Sequence, residues 1–167
     1  MLFRSHVTTK LCLAAIEGLI LGGERVADLG CGSGILSIAA SLMGARETYA
    51  IDIDPVAAKV AGENAALNGI DMDKYFIRTG DILTDAEFKK DIAGEKFDIV
   101  MANIVANIII AFAPVVPQLM KDGGMFIASG IIDDRLDEVT AALRENGLKI
   151  IEVREGEDWR ALLAEKA

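Results

Sequence analysis

Short apolar runs alternate along this chain with segments in which apolar residues return at helical spacing. A run of four to eight apolar residues bounded by turn residues is typical of a strand that is buried on both faces. The pattern predicts strands at residues 25–29, 48–53, 74–79, 97–102 and 125–128. Two final strands, at residues 148–154 and 159–164, are joined by a polar turn and predict a terminal hairpin.

Helices are predicted between the strands from their periodicity and their end signals. Thr8 or Thr9 can cap a first helix, which the glycine pair at 22–23 would end. Asp54 followed by Pro55 marks the start of another helix, which closes near residues 68–69, because proline is favoured at the first helical position. Further helices are predicted at residues 35–43, 87–94, 105–121 and 132–145.

The resulting order is one helix, five strand–helix units and a hairpin. Alternating units of this kind predict a parallel sheet with right-handed crossovers, into which the hairpin inserts one antiparallel strand. The expected fold class is therefore α/β: a doubly wound, mostly parallel sheet of seven strands with a C-terminal antiparallel hairpin. A chain of 167 residues is expected to form one domain over its whole length.

A glycine-rich stretch joins the first predicted strand to the next helix and reads D-x-G-x-G-x-G from Asp28 through Gly30 and Gly32 to Gly34. Glycines let the backbone turn tightly and approach a ligand, and the helix that follows offers free N–H groups. A dinucleotide fingerprint would need its third glycine at Ile35, so the spacing disfavours an NAD-dependent oxidoreductase. The stretch resembles the first motif of S-adenosylmethionine-dependent methyltransferases, and we predict that it binds the cofactor, a purely structural turn being the alternative.

Polar residues also stand at the ends of the other parallel strands. Asp52 follows Gly30 by about 20 residues, the offset at which a carboxylate accepts hydrogen bonds from both ribose hydroxyls. Asp81 either accepts a hydrogen bond from an adenine amino group or caps the next turn, and the sequence favours neither. Asn103 ends the fourth strand. Ligands of such sheets bind beyond the carboxyl ends of the strands, where all of these residues are expected.

Charge and cysteine content narrow the function further. The net charge of −9 disfavours binding to nucleic acid, which depends on Lys and Arg. Cys12 and Cys31 lack the spacing of metal ligands and are expected to be reduced thiols. The single histidine, His6, is either a general base or a structural residue. No signal pattern or membrane-length apolar run is found, which predicts a cytoplasmic protein with no metal and no membrane partner.

Several longer motifs together carry a more specific resemblance. They are HVTTKLCL from His6, DLGCGSGILSIA from Asp28, AIDIDP ending at Pro55, ANI ending at Ile104, SGI from Ser129, and Trp159. They resemble the catalytic domain of the bacterial methyltransferase of large-subunit ribosomal protein eleven, within the class I S-adenosylmethionine-dependent superfamily. The resemblance covers nearly the whole chain.

This resemblance implies an enzyme with a Rossmann-like fold and S-adenosyl-L-methionine as its cofactor. It implies methylation of protein amino groups, on lysine side chains or an N-terminal amine, of a basic ribosomal protein. Carried over residue by residue, the cofactor contacts are Thr9, Gly30, Asp52 and Asn103. Thr9 is explained almost as well by helix capping. Asn103 is also the candidate catalytic residue, because its amide oxygen could orient an amine, although it could instead hold the methionine part of the cofactor.

This sequence differs from the family pattern in two ways. Val7 stands where the family has proline, and the N-terminal substrate-recognition domain of the family is expected to be absent from residues 1–167. The second difference leaves the cofactor site intact but predicts that transfer to the protein substrate is slow or does not occur. Methylation of a small molecule or another acceptor, and a cofactor-binding module without activity, are the alternatives.

Overall fold

The chain forms one sheet with helices on both faces, and the computed structural model describes residues 2–167, with side chains from residue 7 onward. The strands are β1 (Arg25–Leu29), β2 (Glu47–Asp52), β3 (Tyr75–Thr79), β4 (Phe97–Asn103), β5 (Met120–Ile132), β6 (Leu148–Gly156) and β7 (Trp159–Lys166). The helices are α1 (Leu2–Glu17), α2 (Ile35–Leu42), α3 (Pro55–Leu67), α4 (Ala86–Glu95), α5 (Ala106–Phe112), α6 (Val116–Leu119) and α7 (Leu136–Glu145), with a 3₁₀ turn at Asp133–Arg135.

The strands lie in the order β3-β2-β1-β4-β5-β7-β6. The first five are parallel, so that Leu29 at the end of β1 pairs with Ile51 on one side and Ala102 on the other. The hairpin inserts β7 antiparallel to β5 and places β6 at the edge. The predicted fold class is therefore confirmed, and the ends of β1 to β4 meet at one edge of the sheet.

Both faces of the central strands are buried, which explains their continuous apolar sequences. On β4, Val100 and Ala102 point into the core that the sheet shares with α4 to α7. The alternate residues Ile99 and Met101 point into the core on the other face, under α1 and α2. A smaller cluster lies between α2, α3 and the β2–β3 edge and includes Tyr75.

The first helix differs from the prediction. It runs from Leu2 to Glu17, so Thr8 and Thr9 lie inside it, and the interpretation of either residue as its cap is wrong. Nor does the helix continue to the glycine pair: the Glu24 carboxylate instead accepts hydrogen bonds from the N–H groups of Leu21 and Gly22, which stabilises a separate turn.

The single helix predicted for residues 105–121 is also wrong. The segment forms α5 and α6, and β5 already begins at Met120. Pro114 and Pro117 explain the difference, because proline lacks an N–H group and clashes with the preceding helical turn.

The sequence Asp122-Gly123-Gly124, which predicts a turn between this helix and the next strand, lies within β5 instead. The register between β4 and β5 moves from Phe97↔Met120 to Ile99↔Met125, which makes Asp122, Gly123 and Gly124 part of a bulge. The strand then continues through Ser129 and Gly130, where the sequence predicted its end, to Ile132. Its carboxyl end therefore reaches past the end of β4.

The start of α3 was predicted from Asp54 and is confirmed: its Oδ1 accepts a hydrogen bond of 2.9 Å from the Val56 N–H. We expect Asp54→Ala to lower the free energy of unfolding by about 1 kcal/mol, because this N–H loses its partner. Urea denaturation measures the loss. Asp54→Ser is the control, since serine can also cap and should retain most of the stability, and equal stability of the alanine variant would contradict the assignment.

Candidate cofactor-binding site

A cavity of about 280 Å³ opens at the carboxyl ends of β1, β2 and β3 and is closed on its other side by α5. Its lining residues are Leu29, Gly30, Ile51, Asp52, Ile53, Gly80, Asp81, Ile82, Leu83, Ile104, Ile108 and Phe112. Apolar walls with a few polar groups are typical of sites that bind small organic ligands. Three of the predicted site residues, Gly30, Asp52 and Asp81, line this cavity.

The three glycines of the loop at residues 30–34 share a left-handed backbone conformation but have different surroundings. All three have positive φ, of 75° at Gly30, 53° at Gly32 and 89° at Gly34. A Cβ atom on Gly30 would lie 3.0 Å from Ile104 Cγ2, and one on Gly34 would lie 3.1 Å from both Ala61 Cβ and the Tyr75 hydroxyl. A Cβ atom on Gly32 would meet no heavy atom within 4 Å. Gly32 is therefore the glycine that leaves room for a ligand.

Asp52 connects the loop to the end of β2. Its Oδ2 accepts a 2.9 Å hydrogen bond from the Gly32 N–H, and its Oδ1 accepts one of 2.9 Å from the Asp54 N–H. A carboxylate has about four acceptor positions. The half-buried Asp52 can therefore hold the loop and still accept hydrogen bonds from hydroxyl groups in the cavity.

Asp28 lies behind the loop. It is 1% exposed, and its Oδ2 accepts a 3.1 Å hydrogen bond from the Ser37 N–H in the first turn of α2. Burial, together with the negative charge of Asp52, raises the pKa of Asp28 to about 7 despite the hydrogen bonds from Ser37, which lower it. Asp28 is not among the residues that line the cavity. Its hydrogen bond with Ser37 connects β1 to the start of α2, and in this way Asp28 can support the loop between them.

The position of Asp81 is compatible with both of its predicted roles, as a turn residue and as an acceptor for the adenine amino group. Its carboxylate accepts hydrogen bonds of 2.9 Å from the Leu83 N–H and the Thr84 hydroxyl, as a turn residue does. It also lines the cavity. The contact with adenine stays a prediction.

Asn103 and Thr9 lie together at the end of β4. The Asn103 Nδ2 donates to the Thr9 hydroxyl over 3.4 Å, and next to them the buried Ser129 hydroxyl donates to the Thr8 carbonyl over 2.9 Å. A Cβ atom on Gly130 would lie 2.6 Å from the Ile104 carbonyl oxygen. Only glycine lets β5 approach β4 this closely, so α1, β4 and β5 converge on Asn103.

A second cavity, of about 250 Å³, lies on the far side of residues 103–106. Gly130, Asn107, Arg135 and Trp159 are among its lining residues, and the Arg135 guanidinium donates to the Asn107 amide oxygen over 2.6 Å. Ile104 lines the first cavity with its side chain, and its carbonyl faces Gly130. The two cavities therefore flank the segment that carries Asn103.

Other predicted features are peripheral to this site. Among the described residues, no three acidic, histidine or cysteine side chains form a group that could hold a metal. No helix there is long and apolar enough to cross a membrane. Burial raises the pKa of Cys31 to about 12 and also raises the pKa of Cys12, so both thiols stay neutral. The His6 side chain lies outside the described residues.

Four residues that shape the site received no role of their own from the sequence, although three of them lie in the quoted motifs: Ser37, Tyr75, Ile104 and Gly130. For Ser37 a signal was present, because a serine within the apolar helix sequence ILSIAASL needs a buried hydrogen-bond partner. For Tyr75 there was none, since its contacts with the loop join residues far apart in the chain.

Comparison with known proteins gives a consistent result. The family model described as ribosomal protein L11 methyltransferase (PrmA) matches residues 4–167. A ribosomal protein L11 methyltransferase from Caldicellulosiruptor saccharolyticus is 45% identical over 97% of this chain and 50% of its own length. One from Desulforamulus reducens is 43% identical over 95% of this chain and 49% of its own length. The chain thus spans about half the length of the curated relatives it matches.

Solved structures agree in fold. The crystal structure of a ribosomal protein L11 methylase from Lactobacillus delbrueckii subsp. bulgaricus has a TM-score of 0.86 and 35% identity, covering 97% of this chain and 80% of that one. A TehB-like SAM-dependent methyltransferase from Corynebacterium glutamicum has a TM-score of 0.74 and 14% identity, covering 93% of this chain and 87% of that one. This second likeness shows only the fold.

The different surroundings of Gly32 and Gly34 predict different costs of substitution. Gly32→Ala should lower the free energy of unfolding by about 1 kcal/mol, the cost of a left-handed residue with a side chain. Gly34→Ala should cost at least about 2 kcal/mol, because its methyl group also collides with Ala61 and Tyr75. Chemical denaturation of both variants measures the difference. A larger loss for Gly32→Ala would show that this loop geometry is wrong.

Proposed function

We propose a function for this chain from one premise: it belongs to the ribosomal protein L11 methyltransferase family. The chain binds S-adenosylmethionine at the carboxyl ends of β1 to β4 and transfers its methyl group to an amino group of a ribosomal protein. The observation that carries this proposal is the open space at Gly32, whose N–H donates to the Asp52 carboxylate that lines the cavity.

The nucleoside part of the cofactor would occupy the first cavity. Asp52 would accept hydrogen bonds from the two ribose hydroxyls, because its remaining acceptor positions are free of the loop. Apolar side chains at Ile53, Ile82 and Phe112 would contact the adenine ring. Asp81 would accept a hydrogen bond from the adenine amino group. The cavity is small, which suits a nucleoside enclosed by side chains.

The amino-acid part would lie along the loop, toward Thr9 and Asn103. The first N–H groups of α2 have no partner within the helix and would donate to a carboxylate. Gly32 would leave room for the ligand, whereas Gly30 packs closely against Ile104, and Gly34 and Asp28 would support the loop from behind. All four residues of the motif thus serve the site, either by leaving room for the ligand or by supporting the loop.

When bound, S-adenosylmethionine supplies a methyl group on a positively charged sulfur. The protein's task is then to align the acceptor, to exclude water and to leave the acceptor nitrogen unprotonated. A lysine amine has a reference pKa of about 10.4 and must lose its proton before it can attack. The Asn103 amide oxygen would accept a hydrogen bond from the neutral amine and turn its lone pair toward the methyl group.

The family and the net charge of the chain both favour a ribosomal protein as the methyl acceptor. The relatives are named for ribosomal protein L11, and the net charge of −9 on this chain favours a basic protein partner. Long-range attraction accelerates encounter more than it positions one amine. The second cavity, whose lining includes Val105 and Ala106 two and three residues after Asn103, would provide an approach to the methyl group from the side opposite the nucleoside.

The role of Asp52 is tested by calorimetric titration with S-adenosylmethionine. Asp52→Ala should weaken binding about tenfold or more, because the ribose hydroxyls and the Gly32 N–H both lose a charged acceptor. Asp54→Ala is the matched control, a neighbouring carboxylate that should affect stability but leave affinity within about twofold. Equal affinity of the Asp52 variant and the wild type would remove Asp52 from the site.

The role of Asn103 is tested by transfer of a labelled methyl group from S-adenosylmethionine to ribosomal protein L11. Asn103→Ala should reduce the transfer rate at least about tenfold, since the amine is no longer oriented. The control Asn146→Ala removes an amide that only donates to the Ala142 carbonyl at the end of α7. Cofactor binding without any transfer, even when a family N-terminal domain is fused ahead of Met1, would support the cofactor-binding module instead.

A further inference from the structure

Two buried hydroxyl groups lie directly behind the glycine loop. Ser37, in the first turn of α2, is 0% exposed, and Tyr75, at the start of β3, is 3% exposed. Their hydroxyl oxygens are 2.7 Å apart, and the Ser37 hydroxyl also donates to the Gly34 carbonyl over 3.0 Å. The Tyr75 hydroxyl stands 3.1 Å from the point where a Gly34 Cβ atom would be. Tyr75 thus contacts the loop by packing and by a relayed hydrogen bond.

The contacts of Ser37 indicate a direction for this relay. When the one proton of the Ser37 hydroxyl lies on the Gly34 carbonyl, the Ser37 oxygen accepts the proton of Tyr75. Burial raises the pKa of Tyr75 to about 12, so the phenol keeps that proton at neutral pH. The chain of donors therefore runs from β3 through Ser37 to the backbone of the loop.

The Gly34 carbonyl accepts two hydrogen bonds, one of 2.8 Å from the Ile38 N–H of α2 and one of 3.0 Å from the Ser37 hydroxyl. The relay therefore adds to the helix's own hydrogen bond in fixing where the loop's N–H groups point. In a trans peptide the C=O and N–H bonds point in opposite directions, so fixing the Gly34 carbonyl also fixes the Ile35 N–H. The preceding carbonyl, of Ser33, accepts a 2.9 Å hydrogen bond from the Asn64 side chain of α3. Both carbonyls of this turn are thus held by the protein, and the Ile35 N–H is directed away from Ser37.

We propose that Tyr75 is a positioning residue for the cofactor: through Ser37 it holds the Gly34 peptide in the orientation that presents the first N–H groups of α2 to the ligand. This inference rests on the proposed function, because the ligand concerned is S-adenosylmethionine. Tyr75 touches no ligand itself, since it lies behind the loop and is not among the residues that line the cavity. Its effect is on cofactor affinity and not on the acceptor.

The chain contains its own matched control, because Tyr75 is one of two tyrosines. Tyr49, on β2, is 4% exposed, and its hydroxyl accepts a 3.2 Å hydrogen bond from Arg25. It packs in the core on the opposite face of the sheet from Tyr75. Tyr75→Phe and Tyr49→Phe each remove one buried hydroxyl, but only the first hydroxyl supports the loop.

Calorimetric titration of the three proteins with S-adenosylmethionine tests the inference. We expect Tyr75→Phe to bind about three- to tenfold more weakly than the wild type, as expected when one hydrogen bond no longer holds the loop. Tyr49→Phe should bind within about twofold of the wild type. If Tyr75→Phe binds as tightly as the wild type, or if Tyr49→Phe is equally weakened, Tyr75 does not position the loop. Failure of the wild-type chain itself to bind would instead contradict the proposed function.

A double-mutant cycle distinguishes positioning from general destabilisation. Because Tyr75 acts through Ser37, the double variant with Ser37→Ala and Tyr75→Phe should bind about as Ser37→Ala alone does. Additive losses would overturn the relay. In the methyl-transfer assay Tyr75→Phe should raise the KM for S-adenosylmethionine and leave kcat within about twofold. A lower kcat with an unchanged KM would place the effect outside cofactor binding and overturn the inference as well.

Discussion

Three left-handed residues within five positions make the loop after β1 a conformation that the rest of the protein must hold in place. Hydrogen bonds do so from three directions. The end of β2 contributes the Ile51 carbonyl, which accepts from the Gly30 N–H, and the Asp52 carboxylate, which accepts from the Gly32 N–H. The helix α3 contributes Asn64, and the buried Tyr75 acts from behind. A loop held in this way is formed before any ligand arrives, which lowers the entropy cost of binding.

A second junction joins α1, β4 and β5 at the end of β4 and contacts the loop through Ile104. The buried Ser129 hydroxyl fixes α1 against β5 through the Thr8 carbonyl, and the neighbouring Gly130 allows β5 to approach Ile104. Ile104 in turn packs against Gly30. A displacement of α1 or β5 would therefore be transmitted to the loop through one side chain. In the proposed function this chain of contacts sets the distance between the acceptor and the methyl group.

The sequence predicted those features that depend on local chemistry. The strand–helix alternation, the glycine loop, the cap at Asp54 and the polar strand ends all follow from neighbouring residues. The exact bounds of α1 and the division of residues 105–121 do not. A helix can begin before its apolar periodicity does, and the two prolines outweigh the apolar periodicity of residues 105–121. The hydrogen bond between Ser37 and Tyr75 joins residues 38 positions apart, so only the fold reveals it.

The central claim is that a preformed loop and the Asp52 carboxylate together receive the cofactor, and a crystal structure of this chain with S-adenosylhomocysteine tests it most directly. We expect both ribose hydroxyls within about 3 Å of the Asp52 carboxylate oxygens, the adenine ring in the first cavity, and positive φ retained at all three loop glycines. A ligand bound elsewhere, or a loop that changes its backbone conformation to make the contact, would contradict the account.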